Sequence, residues 1–387
     1  MQLLIVAAIL VLSFGLIIAL MIASSRSTAR SDPPVAGAAR QSSLRVVQPS
    51  TVGSTAAKPV RPDRSRAKSR RGRTKSSSDV LPPEATVNFQ AERQEADIDG
   101  VLASLGHDLV GLEPIKHKVE EIASLLLVDR ARNKFGISAP RPNLHMCFTG
   151  PPGTGKTTMA LRMADLLHRL GYLETGQLVH AMRDDLVGQF VGHTAPKTKR
   201  VLERAMGGVL FIDEAYYLYR AADSKDYGQE VVDILLQVME NQRADLVVIL
   251  AGYKGRMDEF FEVNPGMRSR IAHHLDFAPY DLDELVSIGQ LMLGAANYHL
   301  SPAAETAFRT DVAWQMGEPG FANARSIRNS IDRARLRHAH RLAAQPDRRW
   351  SRDDLMRLDA QDIVPGDLEF ASDTGTGRAD WATRHGG

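Results

Sequence analysis

Hydrophobic and polar positions along this chain alternate in blocks that predict strands and helices in turn. Short apolar runs with the length of a buried strand occupy residues 144–149, 178–181, 209–212, 246–251 and 274–277. Between these runs, apolar residues recur at three- and four-residue steps, as from Ile115 to Leu126, which is typical of amphipathic helices. Strands that alternate with helices predict an α/β fold, here a parallel five-stranded sheet sandwiched by helices.

The same pattern divides the chain into five parts. Residues 96–278 contain the predicted sheet, and residues 279–345, where the pattern is helical, predict a small α-helical lid. Residues 25–95 are rich in Ser, Arg and Pro and nearly lack aromatic residues, so we expect a disordered basic linker. Residues 346–387 are expected to be mostly disordered, and residues 1–24 to be a transmembrane helix.

The transmembrane prediction depends on residues 3–23, which contain no charged side chain. As a helix they would extend about 30 Å, enough to cross a bilayer. No Lys or Arg precedes them, whereas Arg26 and Arg30 follow, so the positive-inside rule places the body of the protein in the cytoplasm. A cleaved secretory signal is an alternative, but such signals begin with a basic segment, which is missing here. A plastid presequence, removed to leave the body in the stroma, is a further alternative, because the basic, Ser-rich stretch resembles a transit segment.

Charge is unevenly distributed along the chain. Residues 24–80 carry 13 Lys and Arg but only 3 Asp, so the rest of the chain, whose total charge is +2, is net acidic. The basic linker could lie on anionic lipid, bind nucleic acid or be a simple solvated tether, and no nucleic-acid partner is expected for the folded part. Cys147 is the only cysteine, which excludes disulfides and cysteine metal sites, and its apolar surroundings predict a core residue.

A glycine-rich motif, GPPGTGKT, lies between an apolar strand and a helix. Glycines allow close approach of a triphosphate, and the free N–H groups of the loop and helix N-terminus point at its oxygens. A lysine then reaches the β- and γ-phosphates, and a threonine hydroxyl reaches Mg²⁺. The sequence therefore predicts an ATP site at Gly150, Pro151, Pro152, Gly153, Thr154, Gly155, Lys156, Thr157 and Thr158.

Two adjacent carboxylates follow the strand at residues 209–212. They lie where a parallel strand ends, which is the usual ligand edge of such a sheet. Asp213 is predicted to hold Mg²⁺ together with Thr157, and Glu214 to act as the base that activates the attacking water.

Three further features suggest contact with another molecule. Phe190, Val191 and Gly192 put an exposed aromatic residue on a flexible loop, which suits gripping another chain. Arg268 and Arg270 present two guanidinium groups after a turn, suited to a developing phosphate charge. Arg325 begins a helix of the lid, from which it would reach the γ-phosphate.

Longer strings resemble the AAA+ ATPases, and within them the CbxX/CfqX group with its CbbX-like red-type Rubisco activases. The resemblance covers residues 99–342 and rests on LLLVDR (125–130), HTAPKTK (193–199), GGVLFIDEAYYLYR (207–220), LLQVMENQR (235–243) and RSRIAHH (268–274). It implies a hexameric ring that hydrolyses ATP with Mg²⁺ and pulls on the Rubisco large subunit to release inhibitory sugar phosphates, with ribulose bisphosphate as an effector.

The resemblance also assigns roles to individual residues. It implies that Arg270, with Arg268 as second candidate, is the arginine finger donated to a neighbouring subunit, and that Arg325 is the sensor-2 arginine. Val110 and Gly111 match the segment that lies against adenine. Tyr253 occupies the sensor-1 position, where many AAA+ proteins have Asn. Residues 190–192 match the pore loop that pulls on a substrate polypeptide.

Two other functions compete with a Rubisco activase. The same motor with a membrane anchor could act on a secretion or envelope client. A nucleotide-gated scaffold without turnover is the other alternative, and the joint presence of Glu214, Arg270 and Arg325 speaks against it.

Overall fold

A six-stranded sheet forms the centre of the computed structural model, which describes residues 46–47, 80–137, 139–219 and 227–363. Every pair of neighbouring strands is parallel, and the strand order is β1-β3-β4-β5-β2-β6. The strands are β1 (Val46–Val47), β2 (Met146–Thr149), β3 (Leu178–Ala181), β4 (Val209–Ile212), β5 (Val247–Gly252) and β6 (His273–Asp276). The five predicted strands are all present, and β1 is an additional edge strand in the predicted linker.

Helices connect the strands and continue beyond the last one. Those of the sheet domain are α1 (Phe89–Glu95), α2 (Ile98–Asp108), α3 (Glu113–Lys134), α4 (Lys156–Arg169), α5 (Arg183–Leu186), α6 (Thr194–Ala205), α7 (Gly228–Asn241), α8 (Lys254–Val263) and α9 (Pro265–Arg270). A 3₁₀-helix at Ala215–Leu218 follows β4. The lid contains α10 (Leu282–Ala295), α11 (Pro302–Met316), α12 (Ala324–Ala343) and α13 (Arg352–Met356).

Both faces of the sheet are buried, as expected for a parallel sheet covered by helices. Phe148 and Phe211 belong to one core, which includes Met163 of α4. Cys147, next to Phe148 along the strand, belongs to the opposite core with Leu235 of α7. Cys147 is therefore a core residue as predicted, and its burial raises the pKa of the thiol to about 12.

The predicted linker extends too far. Residues 80–95 are described, and α1 begins at Phe89 after Asn88, whose side chain accepts a hydrogen bond from the backbone of Gln90 (2.8 Å). Glu92 of α1 forms ion pairs with Lys134 and Arg130 of α3. Because this segment is polar, its sequence did not predict α1, which packs on α3 through ion pairs.

The predicted tail also begins too early. A short strand β8 (Arg357–Leu358) pairs with β7 (His299–Leu300) in the lid. Asp362 is buried and receives both a 2.9 Å and a 2.7 Å hydrogen bond from the guanidinium of Arg341. The lid therefore extends to residue 363 through contacts that a segment-by-segment pattern does not show.

No helix within the described residues is both long and apolar enough to cross a bilayer. The anchor predicted over residues 1–24 lies outside them.

Candidate active site

The glycine-rich loop connects β2 to α4 at the carboxyl edge of the sheet. Gly150, Gly153 and Gly155 have φ values of 141°, 74° and 90°, which residues with a Cβ rarely adopt. A Cβ on Gly153 would lie 2.0 Å from the carbonyl oxygen of Ala322 in the lid. The hydroxyl of Thr154 donates to the carbonyl of Pro151 (2.9 Å) inside the loop. The loop is thus built for close backbone approach, and its shape fits a bound triphosphate.

Lys156 lies at the start of α4 and points into the loop. Its ammonium group donates to the carbonyl oxygens of Gly150 (2.9 Å) and Pro151 (2.6 Å). Burial lowers the pKa of Lys156, the carboxylate of Asp213 partly offsets this, and the guanidinium of Arg325 adds to the lowering. Lys156 is therefore a partly desolvated ammonium group with carboxylates and a guanidinium nearby, which suits phosphate binding.

The two carboxylates follow β4 directly. Burial raises the pKa of Asp213, but the interaction with His180 and the hydrogen bond from the Glu214 N–H outweigh it, so this pKa lies below its ordinary value. Nε2 of His180, on the adjacent strand β3, is 3.7 Å from the Asp213 carboxylate. Glu214 has φ 50° and ψ 45°, a left-handed conformation that a residue with a Cβ adopts at a cost. Asp213 and Glu214 both line the same cavity.

Most of the predicted nucleotide-site residues line one cavity of about 350 Å³. The predicted residues that line it are Val110, Gly150, Pro152, Gly153, Gly155, Lys156, Thr157, Thr158, Asp213, Glu214, Tyr253 and Arg325. Gly111, Pro151 and Thr154 do not line it; Thr154 is fully buried beneath the loop, and Gly111 packs against Glu284. The volume falls in the ordinary range for a small-molecule site.

The lid closes one side of this cavity. Ala324 N–H donates to the carbonyl of Gly153 (3.2 Å), which fixes the start of α12 against the phosphate-binding loop. Arg325 and Arg328 are one helical turn apart on α12, and both line the cavity. Arg328 was not predicted, although its spacing of three residues from Arg325 is the signal that would have found it.

A buried asparagine joins the lid to the loop. Asn323 is 2% exposed; its amide donates to the carbonyl of Pro152 (3.1 Å) and accepts from the N–H of Tyr280 (3.1 Å). The hydroxyl of Tyr280 in turn donates to the carbonyl of Thr154 (3.2 Å). Neither residue was predicted, because their partners are more than a hundred residues away along the chain.

Tyr253 precedes α8 at the end of β5 and lines the cavity. Its ring centroid is 6.2 Å from that of Tyr216, in the 3₁₀-helix that follows Glu214. Tyr253, the predicted sensor-1 residue, therefore adjoins the segment that follows the candidate base.

The two candidate finger arginines lie away from this cavity. Arg270 ends α9, just before the amino end of β6, and its carbonyl accepts from the side chain of Asn143 (2.7 Å). The cavity is at the carboxyl ends of the strands, about 13 Å of strand away. The guanidinium of Arg270 instead contacts Glu240 (3.3 Å) and the carbonyl of Gly266 (3.1 Å), while Arg268 is exposed. Neither arginine is placed to serve its own subunit's phosphate loop.

The candidate pore loop protrudes between α5 and α6. Phe190 is 64% exposed and Val191 78% exposed. The N–H of His193 donates to the carbonyl of Phe190 (3.1 Å), and Gly192 has φ 78°, as a type II turn requires at its third position. The tip is therefore an ordered turn that presents two apolar side chains to solvent.

Comparison with known proteins identifies two matching families. The family described as "ATPase family associated with various cellular activities (AAA)" matches residues 146–279, and the "AAA lid domain" matches residues 281–373. The first range runs from β2 through β6, and the second includes the four helices of the lid.

Several individual proteins share more than half of their aligned residues with this chain. The chain is 54% identical over 289 residues to the chloroplastic ribulose bisphosphate carboxylase/oxygenase activase of Cyanidioschyzon merolae, covering 75% of this chain and 99% of the relative. It is 58% identical over 265 residues to protein CbbX of Cereibacter sphaeroides, covering 68% and 86%. It is 62% identical over 245 residues to the chromosomal protein CbxX of Cupriavidus necator, covering 63% and 77%.

Proposed function

This chain belongs to the AAA ATPases and, within them, to the family of CbbX and CbxX, and from that premise we propose that it couples ATP hydrolysis to the remodelling of Rubisco. Binding and hydrolysis of ATP follow from the family itself. The observation that carries the proposal is the single cavity shared by Lys156, Asp213, Glu214 and Arg325, in a chain so similar to a Rubisco activase.

The residues around the cavity fit the chemistry of hydrolysis. The hydroxyl of Thr157 and the carboxylate of Asp213 are the groups that would hold Mg²⁺, whose charge neutralises phosphate oxygens when it is bound. Asp213 suits this role because its lowered pKa keeps it ionised. Glu214 accepts a proton from the attacking water, and Lys156 and Arg325 stabilise charge that develops on the phosphoryl oxygens.

A second subunit completes the site in this proposal. Arg270 lies at the sheet edge opposite its own cavity, so its guanidinium would serve the nucleotide of a neighbour. A donated arginine of this kind contributes strongly to phosphoryl transfer. We therefore propose a closed ring, a hexamer as the family resemblance implies.

The client is engaged by the loop that carries Phe190 and Val191. Their exposure on an ordered turn supports a gripping role, because an aromatic side chain buries a large area with few rotatable bonds. The Rubisco large subunit is the proposed client, and ribulose bisphosphate the proposed effector.

Reactivation of Rubisco tests this function. Full-length protein with ATP should restore carboxylation by red-type Rubisco inhibited with a bound sugar phosphate, measured with and without added ribulose bisphosphate.

Two variants separate hydrolysis from remodelling. Glu214→Gln should abolish both ATPase activity and reactivation, with a loss in kcat of at least about 100-fold. Phe190→Ala should keep the ATPase but lose reactivation. Recovery by Glu214→Gln equal to that of the unaltered protein, or ATPase activity with no recovery at all, would contradict the proposal.

A membrane client is the second candidate, favoured by the uncharged residues 3–23. In this alternative the chain stays attached to a membrane through that segment, with its catalytic body in the cytoplasm. Sedimentation of the full chain with membranes, and its release when residues 1–24 are removed, would support the attachment; a soluble full-length protein would contradict it.

A further inference from the structure

A groove of about 360 Å³ lies directly behind the tip of the pore loop. Its walls come from the loop and from the first two turns of α6, and they consist of Gly188, Gln189, Phe190, His193, Pro196, Lys197 and Arg200. Among the described residues that form the groove, three carry basic side chains and none is acidic. This bias contrasts with the net acidic composition of the chain outside residues 24–80.

The groove is held in shape by hydrogen bonds at its base. The hydroxyl of Thr194 accepts from the N–H of Gly188 (3.0 Å), and the hydroxyl of Thr198 donates to the carbonyl of Leu186 (3.0 Å). Lys197 donates to the carbonyl oxygens of Asp184 and, at 3.1 Å, Val187. These side chains tie the amino end of the loop to α6, and its carboxyl end continues directly into that helix, so the groove is preformed.

The remaining polar groups of the groove face outward. The ring of Phe190 meets the edge of His193 at a centroid distance of 5.5 Å, so the imidazole lies beside the exposed aromatic side chain. Arg200 is exposed about two turns beyond His193 along α6. Within the part of the chain that the structure describes, no carboxylate forms an ion pair with Arg200 or with His193. These donors are available to a ligand.

We propose that this groove binds an acidic stretch of the client polypeptide. The inference rests on the proposed pore-loop function and adds the chemistry of the segment that is gripped. Phe190 packs on the segment, while Arg200 and His193 donate hydrogen bonds to its Asp or Glu side chains or to a terminal carboxylate. A guanidinium binds carboxylates in a bidentate manner and selects them over amides and amines.

Peptide binding tests the inference. Fluorescein-labelled peptides of equal length, with Glu, Gln or Lys at the same positions between Gly and Ser, are titrated with the full-length Glu214→Gln variant and ATP, and anisotropy is measured. The Glu peptide should bind about five-fold more tightly than the Gln peptide, and the Lys peptide most weakly. The preference should weaken as salt is raised.

Matched variants locate the effect. Arg200→Glu should remove the preference for the Glu peptide, and Arg200→Lys should retain part of it. Lys199→Glu makes the same charge change at the neighbouring exposed residue, which does not line the groove, and should leave the preference intact. Phe190→Ala should weaken binding of all three peptides alike.

Several outcomes would overturn the inference. These are equal binding of the three peptides, no binding of any peptide, an unchanged preference in Arg200→Glu, or tighter Arg200-dependent binding of a single-stranded oligonucleotide. Equal binding that still depends on Phe190 would leave the proposed pore function standing, because the grip would then be independent of charge. Failure of the pore function itself shows separately, as Rubisco reactivation that is unaffected by Phe190→Ala.

Discussion

At the scale of single residues, the active site depends on side chains held in one orientation by a few distant contacts. Glu214 adopts a left-handed conformation, and Asp213 is fixed by the Glu214 N–H at 3.0 Å and by His180 on the next strand. A strained residue at a functional position persists only where its surroundings determine it. The imidazole of His180 approaches this carboxylate at 3.7 Å and does not line the cavity, so we expect His180 to position Asp213 without contacting the nucleotide.

Arg328 provides the clearest test at this scale. Because it faces the same cavity as Arg325, Arg328→Ala should raise the KM for ATP about five-fold while changing kcat less, as expected for one partly exposed contact to a phosphate or ribose oxygen. Steady-state ATPase kinetics would measure both parameters.

Two matched variants complete the Arg328 experiment. Arg328→Lys should restore part of the affinity, since it keeps the charge. Arg335→Ala, on the same helix but paired with Asp332 (3.3 Å) and outside the cavity, should leave KM unchanged. If the two alanine variants had the same KM, Arg328 would have no part in nucleotide binding.

At the scale of secondary-structure elements, buried polar groups connect neighbouring strands and helices. His145, which precedes β2, accepts a hydrogen bond from the N–H of Val248 in β5 (3.0 Å) and donates to the carbonyl of Met239 in α7 (3.0 Å). The bond from Val248 requires the neutral imidazole, because Nδ1 can accept only while it carries no proton, whereas Nε2–H can donate in either state. Burial lowers the pKa of His145, and burial likewise lowers the pKa of His273 and His274.

This arrangement predicts a loss of stability in mild acid. A histidine whose pKa is lower in the folded protein takes up its proton more readily when unfolded, so stability falls as the pH drops below about 6.5. The midpoint of thermal unfolding should therefore be lower at about pH 5.5 than at about pH 7.5. His145→Gln should be less stable at the higher pH and show a smaller drop; an unchanged drop would exclude His145 as a source of it.

The elements differ in how far the sequence could predict them. The five main strands, the phosphate-binding loop and the helical lid were predicted because their apolar periodicity and glycine spacing are local properties. Helix α1 was missed because it packs through Glu92 against a helix about forty residues away. The lid segment around Asp362 was missed for the same reason.

The site shows the same division. Lys156, Asp213 and Glu214 belong to contiguous motifs, and the structure brings them into one cavity. Asn323 and Tyr280 look like ordinary loop residues in the sequence, since their hydrogen bonds to the loop span 171 and 126 positions. Only the folded chain shows that they support the phosphate-binding loop.

At the scale of the whole molecule, the position of Arg270 predicts a site shared between subunits. Arg270→Ala alone and Glu214→Gln alone should each abolish most ATPase activity. Mixing the two variants should restore part of it, because some interfaces then pair an intact Glu214 with an intact Arg270 from the neighbour. ATPase activity across a series of mixing ratios measures this rescue.

A matched mixture gives the control for that experiment. Glu214→Gln subunits mixed with subunits that carry both changes contain no interface with both groups intact, so they should stay inactive. If each single variant is inactive and neither mixture is rescued, Arg270 acts within its own subunit; an active Arg270→Ala variant would show that it has no part in hydrolysis.

The backbone hydrogen bond from Ala324 to Gly153 and the bond from the side-chain amide of Asn323 to Pro152 couple the orientation of the lid to the phosphate-binding loop. A rotation of the lid that keeps these bonds moves the phosphate-binding loop, and a ligand that orders this loop favours one orientation of the lid. By thermodynamic reciprocity, a neighbour that presses on the lid must change nucleotide affinity by the same factor as nucleotide changes the neighbour's docking. In the proposed ring, subunit assembly and nucleotide binding would then each strengthen or weaken the other.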